Sequence, residues 1–269
     1  MIRLTLRARP PQRLSLRAFV PERLAGLNAG AIAREALRQG NRQGVLGDWF
    51  RVEVSDGAED RLVIADADDR LDDIGAGMTR GGLVVEGNAG ARAGLGMSGG
   101  RISIEGSAGV GAGTAMSGGE LRIAGDAGDH LGTALPGERQ GMRDGMVIVE
   151  GSAGASAGDR LRRGLIVVRG AVGPFCGARM GAGTIVVGGE VGTGAGAAMR
   201  HGTLVAAGKS IVPLLGFADC GVHELTVQRL LARVLAKHGF GEVADRVRAL
   251  RRWQGDLAVG GKGEFLTTP

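Results

Sequence analysis

Gly94-Leu95-Gly96-Met97-Ser98-Gly99 is a literal G-x-G-x-x-G, the spacing with which a strand-to-helix turn approaches a dinucleotide pyrophosphate. That chemistry needs a strand before the glycines and a helix after them. Here a strand-like run follows instead, and related glycine spacings recur along the chain, so a repeated corner is the better reading. Met78, Met97, Met116, Met142, Met180 and Met199 form a second recurring series. Thioethers bind soft metals, but Leu161 takes one place without breaking the series, so a packed inner row accounts for it. His130, His201, His223 and His238 share no ligand spacing, and none is matched to a carboxylate or nucleophile. Cys176 and Cys220 make neither a disulfide framework nor a zinc site. Cys176 falls where four other repeats carry Ala, so it reads as a small core residue; Cys220 receives no role. The sequence therefore predicts no catalytic residue, no metal ligand and no cofactor held by this chain.

The elements that carry these residues follow one repeat. Apolar runs begin at Leu83, Ile102, Leu121, Val147, Ile166, Ile185 and Leu204, in steps of 19, 19, 26, 19, 19 and 19. Five residues before each start stands Met or Leu161, two before it a Gly, and four after it another Gly. About five Gly per unit would cost a helix about 5 kcal/mol per unit, so helices are excluded. Strands joined by glycine corners are not. One such unit cannot bury its own face, so units must stack. The fold class predicted is mainly β: a right-handed parallel β-helix of about seven 19-residue coils. At about 4.8 Å per coil, six steps give a prism roughly 29 Å tall. Leu62-Val63-Ile64-Ala65 reads as a degenerate earlier coil.

Caps are expected at both ends. The N-terminal region, residues 1–60, reads as a β/α cap with strands at 2–7, 13–18 and 49–54 and a helix over 29–39. The β-helix covers 61–215. Residues 216–269 read as a helical cap and tail, with Val227, Leu230, Leu231, Val234 and Leu235 as the apolar face of one helix. Gly239 stops that helix, and Val243, Val247 and Leu250 belong to a second.

Composition agrees with a packed protein. Of 269 residues 52 are Gly and seven Pro, which excludes collagen, and 43% are hydrophobic, which argues against disorder. No apolar stretch reaches membrane-span length, and charges interleave residues 1–7 where a signal peptide would be apolar. A soluble cytoplasmic protein is expected, with neither membrane nor nucleic acid as partner. The net charge of +5 is uneven: residues 1–51 hold ten Arg against three acids, and residues 53–73 nine acids against two Arg.

The phrase Gly141-Met142-Arg143-Asp144-Gly145-Met146-Val147-Ile148-Val149-Glu150-Gly151-Ser152-Ala153-Gly154 resembles the glycine-repeat β-helix shared by two groups. One is the C-terminal domain of the glutamate synthase large subunit; the other is the C-type subunit of formylmethanofuran dehydrogenase. Leu135-Pro136-Gly137, Gly255-Asp256-Leu257-Ala258 and Gly261-Lys262-Gly263-Glu264 look like that C-type subunit. The bacterial formyltransferase/hydrolase complex of methylotrophs is similar to the dehydrogenase but lacks its redox metal.

The resemblance implies a structural subunit without its own active site. Its partners would be amidohydrolase-like, formyltransferase-like and dehydrogenase-B-like subunits. The complex would release formate from a furan-type carrier, methanofuran or methylofuran. A redox tungsten or molybdenum dehydrogenase, or a free-standing glutamate-synthase-type domain, remains an alternative.

The longest step of the repeat falls within residues 130–141, and insertions in solenoids form loops on one face. A neutral loop, a subunit contact and a ligand contact are all open. Arg139, Arg143, Arg160, Arg162 and Arg163 fall near one edge of two consecutive units. If the resemblance holds, the carrier has a glutamate-rich arm that these arginines would guide; the alternatives are surface solvation and pairing with a neighbouring subunit.

Overall fold

Short β-branched runs separated by glycines form strands in the computed structural model, which describes residues 1–40, 42–55, 60–209, 211 and 213–269. The chain opens with β1 (Ile2–Leu6), β2 (Leu14–Ser15), α1 (Pro21–Leu24), α2 (Ala29–Ala33), β3 (Ala36–Gln39), β4 (Arg42–Val45), α3 (Leu46–Trp49) and β5 (Phe50–Val54). The strand expected over 13–18 is only two residues long, although Leu14 and Leu16 are both buried. The helix expected over 29–39 is corrected. Asn28 caps it by accepting from the Ala31 amide, but it ends at Ala33. Residues 36–39 are a strand because Leu37 is buried between the exposed Ala36 and Arg38, a period of two. β3 pairs antiparallel with β4.

The repeat then supplies β6 (Arg61–Ala67), β7 (Leu71–Asp72), β8 (Gly82–Gly87), β9 (Arg101–Ile104), β10 (Ser117–Ile123), β11 (Asp144–Val149), β12 (Leu165–Val168), β13 (Thr184–Val187) and β14 (Thr203–Ala206). From β8 to β14 each strand pairs in parallel with the next, and the seven run starts from Leu83 to Leu204 lie in register. Leu62 pairs with Leu83 and Ile2 with Leu62, so β6 and β1 extend the same ladder. A second column of parallel bridges joins Ala89, Ala108, Ala127, Ala153, Val172 and Val191. Between the columns, the amides of Gly94, Gly113, Gly132, Gly158, Gly177 and Gly196 each donate to a carbonyl of the preceding unit. Identical units stacked in register explain why the spacing repeats.

Each stacking step has a side-chain basis. All six repeat methionines and Leu161 are fully buried, as are the first and third residues of every run, for example Ile102 and Ile104. The glycine two places before each run has a positive φ, from 80° at Gly100 to 97° at Gly202. A Cβ there would strike the preceding unit's methionine: 2.6 Å from Met78 Cε at Gly100, and 2.7 Å from Met142 Cε at Gly164. The methionine column and the glycine column are two halves of one contact.

The second residue of each run faces outward. It is Ser103 and Arg122 in two early units, then Ile148, Val167, Val186 and Val205 in the last four. The last four are buried because the C-terminal segment covers them. That segment comprises β15 (Ala218–His223), α4 (Thr226–Lys237), α5 (Gly241–Arg246), β16 (Leu250–Gly255) and β17 (Gly263–Thr267). Leu235, Phe240, Val243 and Val247 pack on the outward valines. Arg246 Nη1 donates to the carbonyls of Gly188 and Ala207, both at 3.0 Å. The Arg169 guanidinium, paired with Glu150, lies 4.2 Å from the centre of the Phe240 ring.

The helical end cap is therefore corrected: the helices lie on the outer face of the sheet. β17 pairs in parallel with β14, Leu204 opposite Phe265, and antiparallel β16 and β15 follow it. Leu250, expected in the second helix, begins β16 instead.

Among the described residues the strands form two sheets. The larger runs β15-β16-β17-β14-β13-β12-β11-β10-β9-β8-β6-β1-β5, and the smaller β4-β3-β2-β7. The fold is mainly β, with a mostly parallel 13-stranded sheet and few helices.

Candidate functional site

The long step of the repeat is one loop inserted at one place. In ordinary units the methionine amide donates to a carbonyl three residues back, as Met97 does to Gly94 and Met116 to Gly113. The Met142 amide donates to Gly132, ten residues back, at 3.0 Å. The extra residues thus leave and rejoin the stack between Gly132 and Met142. Residues 135–140 are exposed, and a Glu138-to-Leu135 backbone bond folds the tip. Arg160 of the next unit pins the loop by donating from Nη1 to the Glu138 carbonyl at 2.5 Å.

Beneath the loop is a groove of about 370 Å³, walled by Leu135 and Pro136 on one side and by Arg92, His130, Arg160 and Arg179 on the other. All four polar side chains leave the backbone at positive φ: 59°, 63°, 58° and 53°. The same places in other units are held by Gly111, Ser156, Phe175 and Gly194, or by Gly77, Gly96, Ala115 and Ala198, all at positive φ. A non-glycine residue there costs about 1–2 kcal/mol.

Two of the four arginine or histidine groups are committed to fork-like ion pairs between neighbouring units. Arg92 Nε reaches Asp73 Oδ1 at 2.7 Å, and Arg179 Nε and Nη2 reach the two Asp159 oxygens at 2.8 and 2.6 Å. Burial alone would raise the Asp73 carboxyl, but hydrogen bonds from Arg92 and Ser15 outweigh it and hold the group below its ordinary range. The hydrogen bonds to their carboxylates raise Arg92 and Arg179. These pairs were legible as opposite charges 19 and 20 residues apart, one repeat period, but sequence reading passed over them.

Of the five arginines expected at one edge, Arg143 and Arg162 occupy matched places on consecutive units, each following the buried Met142 or Leu161. Arg139, Arg143, Arg162 and Arg163 are exposed, and Arg160 is half-buried in the groove wall. The Arg162 guanidinium makes one long bond, 3.4 Å to the Gly181 carbonyl. Among the described residues none of the five forms an ion pair, whereas Arg3, Arg13, Arg92, Arg122, Arg169 and Arg179 all do.

The remaining sequence candidates lie elsewhere. In the G-x-G-x-x-G segment, the amides of Gly94, Gly96, Ser98 and Gly99 are all spent on carbonyls of adjoining units, so no phosphate cradle forms. Cys176 is fully buried and its thiol is pushed up to about 12 by that burial. His223 Nε2 lies 2.7 Å from the Cys220 carbonyl, and His238 caps α4. Among the described residues no group of three or more His, Cys, Asp or Glu is arranged to hold a metal ion. No helix among them is long and apolar enough to cross a membrane.

No family model matches the chain. A 92-residue segment is 41% identical to the C-type subunit of the formyltransferase/hydrolase complex Fhc of Methylorubrum extorquens; it spans 34% of this chain and 34% of that protein. The whole fold is similar to a chain in the crystal structure of the formyltransferase/hydrolase complex (FhcABCD) from the same organism in complex with methylofuran. The TM-score is 0.93 at 40% identity, over 99% of both chains. With the glycine–methionine stack, the inserted loop and the C-terminal strands all falling within that likeness, the chain belongs to the family of C-type subunits of the formyltransferase/hydrolase complex Fhc.

Proposed function

We propose that this chain is the non-catalytic scaffold subunit of a formyltransferase/hydrolase complex in one-carbon metabolism. The partner subunits, amidohydrolase-like, formyltransferase-like and dehydrogenase-B-like, process the formyl group of a furan-type carrier to formate. The observation that carries this reading is the likeness to a chain of such a complex over 99% of the length at 40% identity. It favours the hydrolytic assembly over a redox dehydrogenase or a glutamate-synthase-type domain.

The stacked units serve as about seven coils of a right-handed parallel β-helix over 61–215. Residues 1–60 cap one end, and 216–269 close the other with strands. A regular stack whose polar backbone is satisfied unit to unit makes a stiff brace for catalytic partners.

The strip of Arg139, Arg143, Arg160, Arg162 and Arg163 guides the anionic arm of the carrier between active sites. Guanidinium forks without internal carboxylates are suited to carboxylates, and their attraction is felt over about 8 Å at physiological salt. Arg139→Gln with Arg143→Gln should raise the KM of the complex for the long-armed carrier and flatten its salt dependence. A carrier analogue stripped of its glutamates should be little affected. Equal effects on both carriers, or disassembly, would assign the arginines to a subunit interface instead.

A further inference from the structure

The place just after the buried methionine or Leu161 changes character along the stack. It is Thr79, Ser98 and Ser117 in the first three units, then Arg143, Arg162, Gly181 and Arg200. Backbone bonds between neighbouring units hold these places in one line. The Arg162 amide donates to the Met142 carbonyl, the Gly181 amide to Leu161 and the Arg200 amide to Met180, each at 2.9 Å. Lys262 continues the line past the last unit, its amide donating to the Arg200 carbonyl at 2.7 Å. Gly181 is not a gap in it. The Arg162 guanidinium lies over this glycine, 3.4 Å from its carbonyl oxygen, and a Cβ there would meet Arg162 Nη1 at 3.4 Å. Arg162 therefore points up the stack toward Arg200.

The line has one sign of charge. Arg143, Arg162, Arg200 and Lys262 are exposed, and among the described residues none has a carboxylate partner. The neighbouring acids are spent or lie at the lower end. Asp159 is paired with Arg179, and Glu264 with Arg252. Asp256 is buried and accepts from the amides of Ala198 and Ala258. Glu138, in the inserted loop, and Asp144, next to Arg143, are exposed. Toward the upper end the exposed Arg163 and His201 add donors and no acid.

Successive units are about 4.8 Å apart, so the four steps from Arg143 to Lys262 span ~19 Å. Cations set side by side repel one another until an anion lies on them. A compact anion reaches one or two of these groups, whereas a linear chain of carboxylates laid along the stack reaches all of them. At ~3.3 Å per extended residue, the span matches about six residues.

We infer that Arg143, Arg162, Arg200 and Lys262 form a track for an extended polycarboxylate of about six residues, parallel to the stack axis. This inference rests on the reading of the carrier's anionic arm and deepens it. It carries the contact from the inserted loop to the far end of the stack, and it sets the direction and the length of arm that is held.

The probes are fluorescent oligoglutamate peptides of about two to ten residues, titrated onto the full chain, with oligoglutamine as the uncharged control. Affinity should rise with length to about six residues and then level off. Arg200→Gln with Lys262→Gln should weaken binding of the six-residue peptide at least tenfold. It should also bring the plateau down to about three residues, since about 9.6 Å of track remains. Both side chains are exposed, so the melting temperature should stay within a few degrees. Gly181→Asp, which sets a carboxylate against Arg162 without removing a cation, should weaken the same peptide several-fold and settles the matter should the double variant fail to fold. In the assembled complex, the double variant should raise the KM for the long-armed carrier and leave the stripped analogue unaffected.

An unchanged plateau and affinity in these variants, or equal binding of oligoglutamine, would overturn the longer track. The arm reading would then survive at the lower end if Arg139→Gln with Arg143→Gln still raises the KM. No effect of either pair on the complex would overturn both. A photo-crosslinking residue at position 200 that captures another subunit, and not the carrier, would assign the track to an acidic protein segment and overturn the inference as well.

Discussion

The terminal methyl of Met97 lies where a side chain on Gly119 would begin: a Cβ on Gly119 would stand 2.6 Å from Met97 Cε. The two residues belong to successive units, and five further pairs in the stack repeat the contact with Met or Leu161. Gly119 also has φ +80°, where an L side chain is strained. A side chain at 119 would also stand 2.8 Å from the Gly100 carbonyl oxygen, so Met97 and the backbone of the preceding unit together reserve this place for glycine.

Gly119→Ala should destabilise the chain by about 2–5 kcal/mol, combining left-handed strain with overpacking. Met97→Ala should cost about 2–5 kcal/mol through its cavity. The double variant should lose about as much as the sum of the two, because a Cβ at 119 still stands 2.8 Å from the Gly100 carbonyl oxygen and 2.9 Å from the Gly99 carbonyl carbon when the methionine is gone. Denaturant unfolding of the three variants measures this, and a double variant much more stable than the sum would make the methionine, rather than the backbone, the obstacle.

Met116→Asp buries an unpaired charge in the same column and should cost several kcal/mol. Arg122 is outward but is a poor control, since it pairs with Glu150, which also holds Arg169. Ser103→Asp, at the matching outward place one unit earlier, should change the melting temperature by no more than a few degrees. Equal losses at Met116 and Ser103 would contradict the assignment of inner and outer faces.

The repeat was legible because stacking demands the same residue type at the same place in every unit. Seven glycines at each of two fixed places left little else to fit. The C-terminal packing was also written in the sequence, in the change from Ser103 and Arg122 to Ile148, Val167, Val186 and Val205 at the outward place. That change marks a face leaving water, yet it reads as ordinary strand composition until something is known to cover it. Periodicity showed that α4 has an apolar side but not which neighbour that side meets, so Leu230 was expected inside. Leu250 continued a helical pattern that tertiary pairing with His223 and Arg251 with Thr267 converted to strand. The groove was least legible, because the loop from Gly132 to Met142 takes its shape from contacts with the next unit, such as Arg160 with Glu138.

Cys176 should resist thiol reagents in the folded chain. A thiol pushed up to about 12 by burial is less than about one part in a thousand thiolate at pH 8, and it is shut off from solvent. Cys220 is partly exposed and should react. Counting labelled thiols by mass spectrometry should give one in the native chain and two in denaturant; rapid native labelling of Cys176 would show that its unit opens.

The Asp73 pair should give stability a defined pH dependence. Its folded carboxyl is depressed below the ordinary 3.8, so its stabilisation is fully present above that value and is lost as pH falls through the lower folded value. The stability gap between the wild-type chain and Asp73→Asn should hold steady from about pH 7 to 5 and shrink below about pH 4. A gap independent of pH would remove the Arg92–Asp73 bond as its source.

The central claim is that this chain holds a formyl-processing assembly together without doing its chemistry. The most direct measurement purifies the native assembly through a tag on this chain, with wild-type sequence and with His130→Ala or Cys176→Ala, and records native mass and formyl transfer and hydrolysis together. The account predicts one assembly containing three further kinds of subunit, with rates within a few-fold in all versions and no activity from the isolated chain. A free chain in the native extract, or a thousandfold loss of activity on removing one of these side chains with the assembly intact, would contradict it.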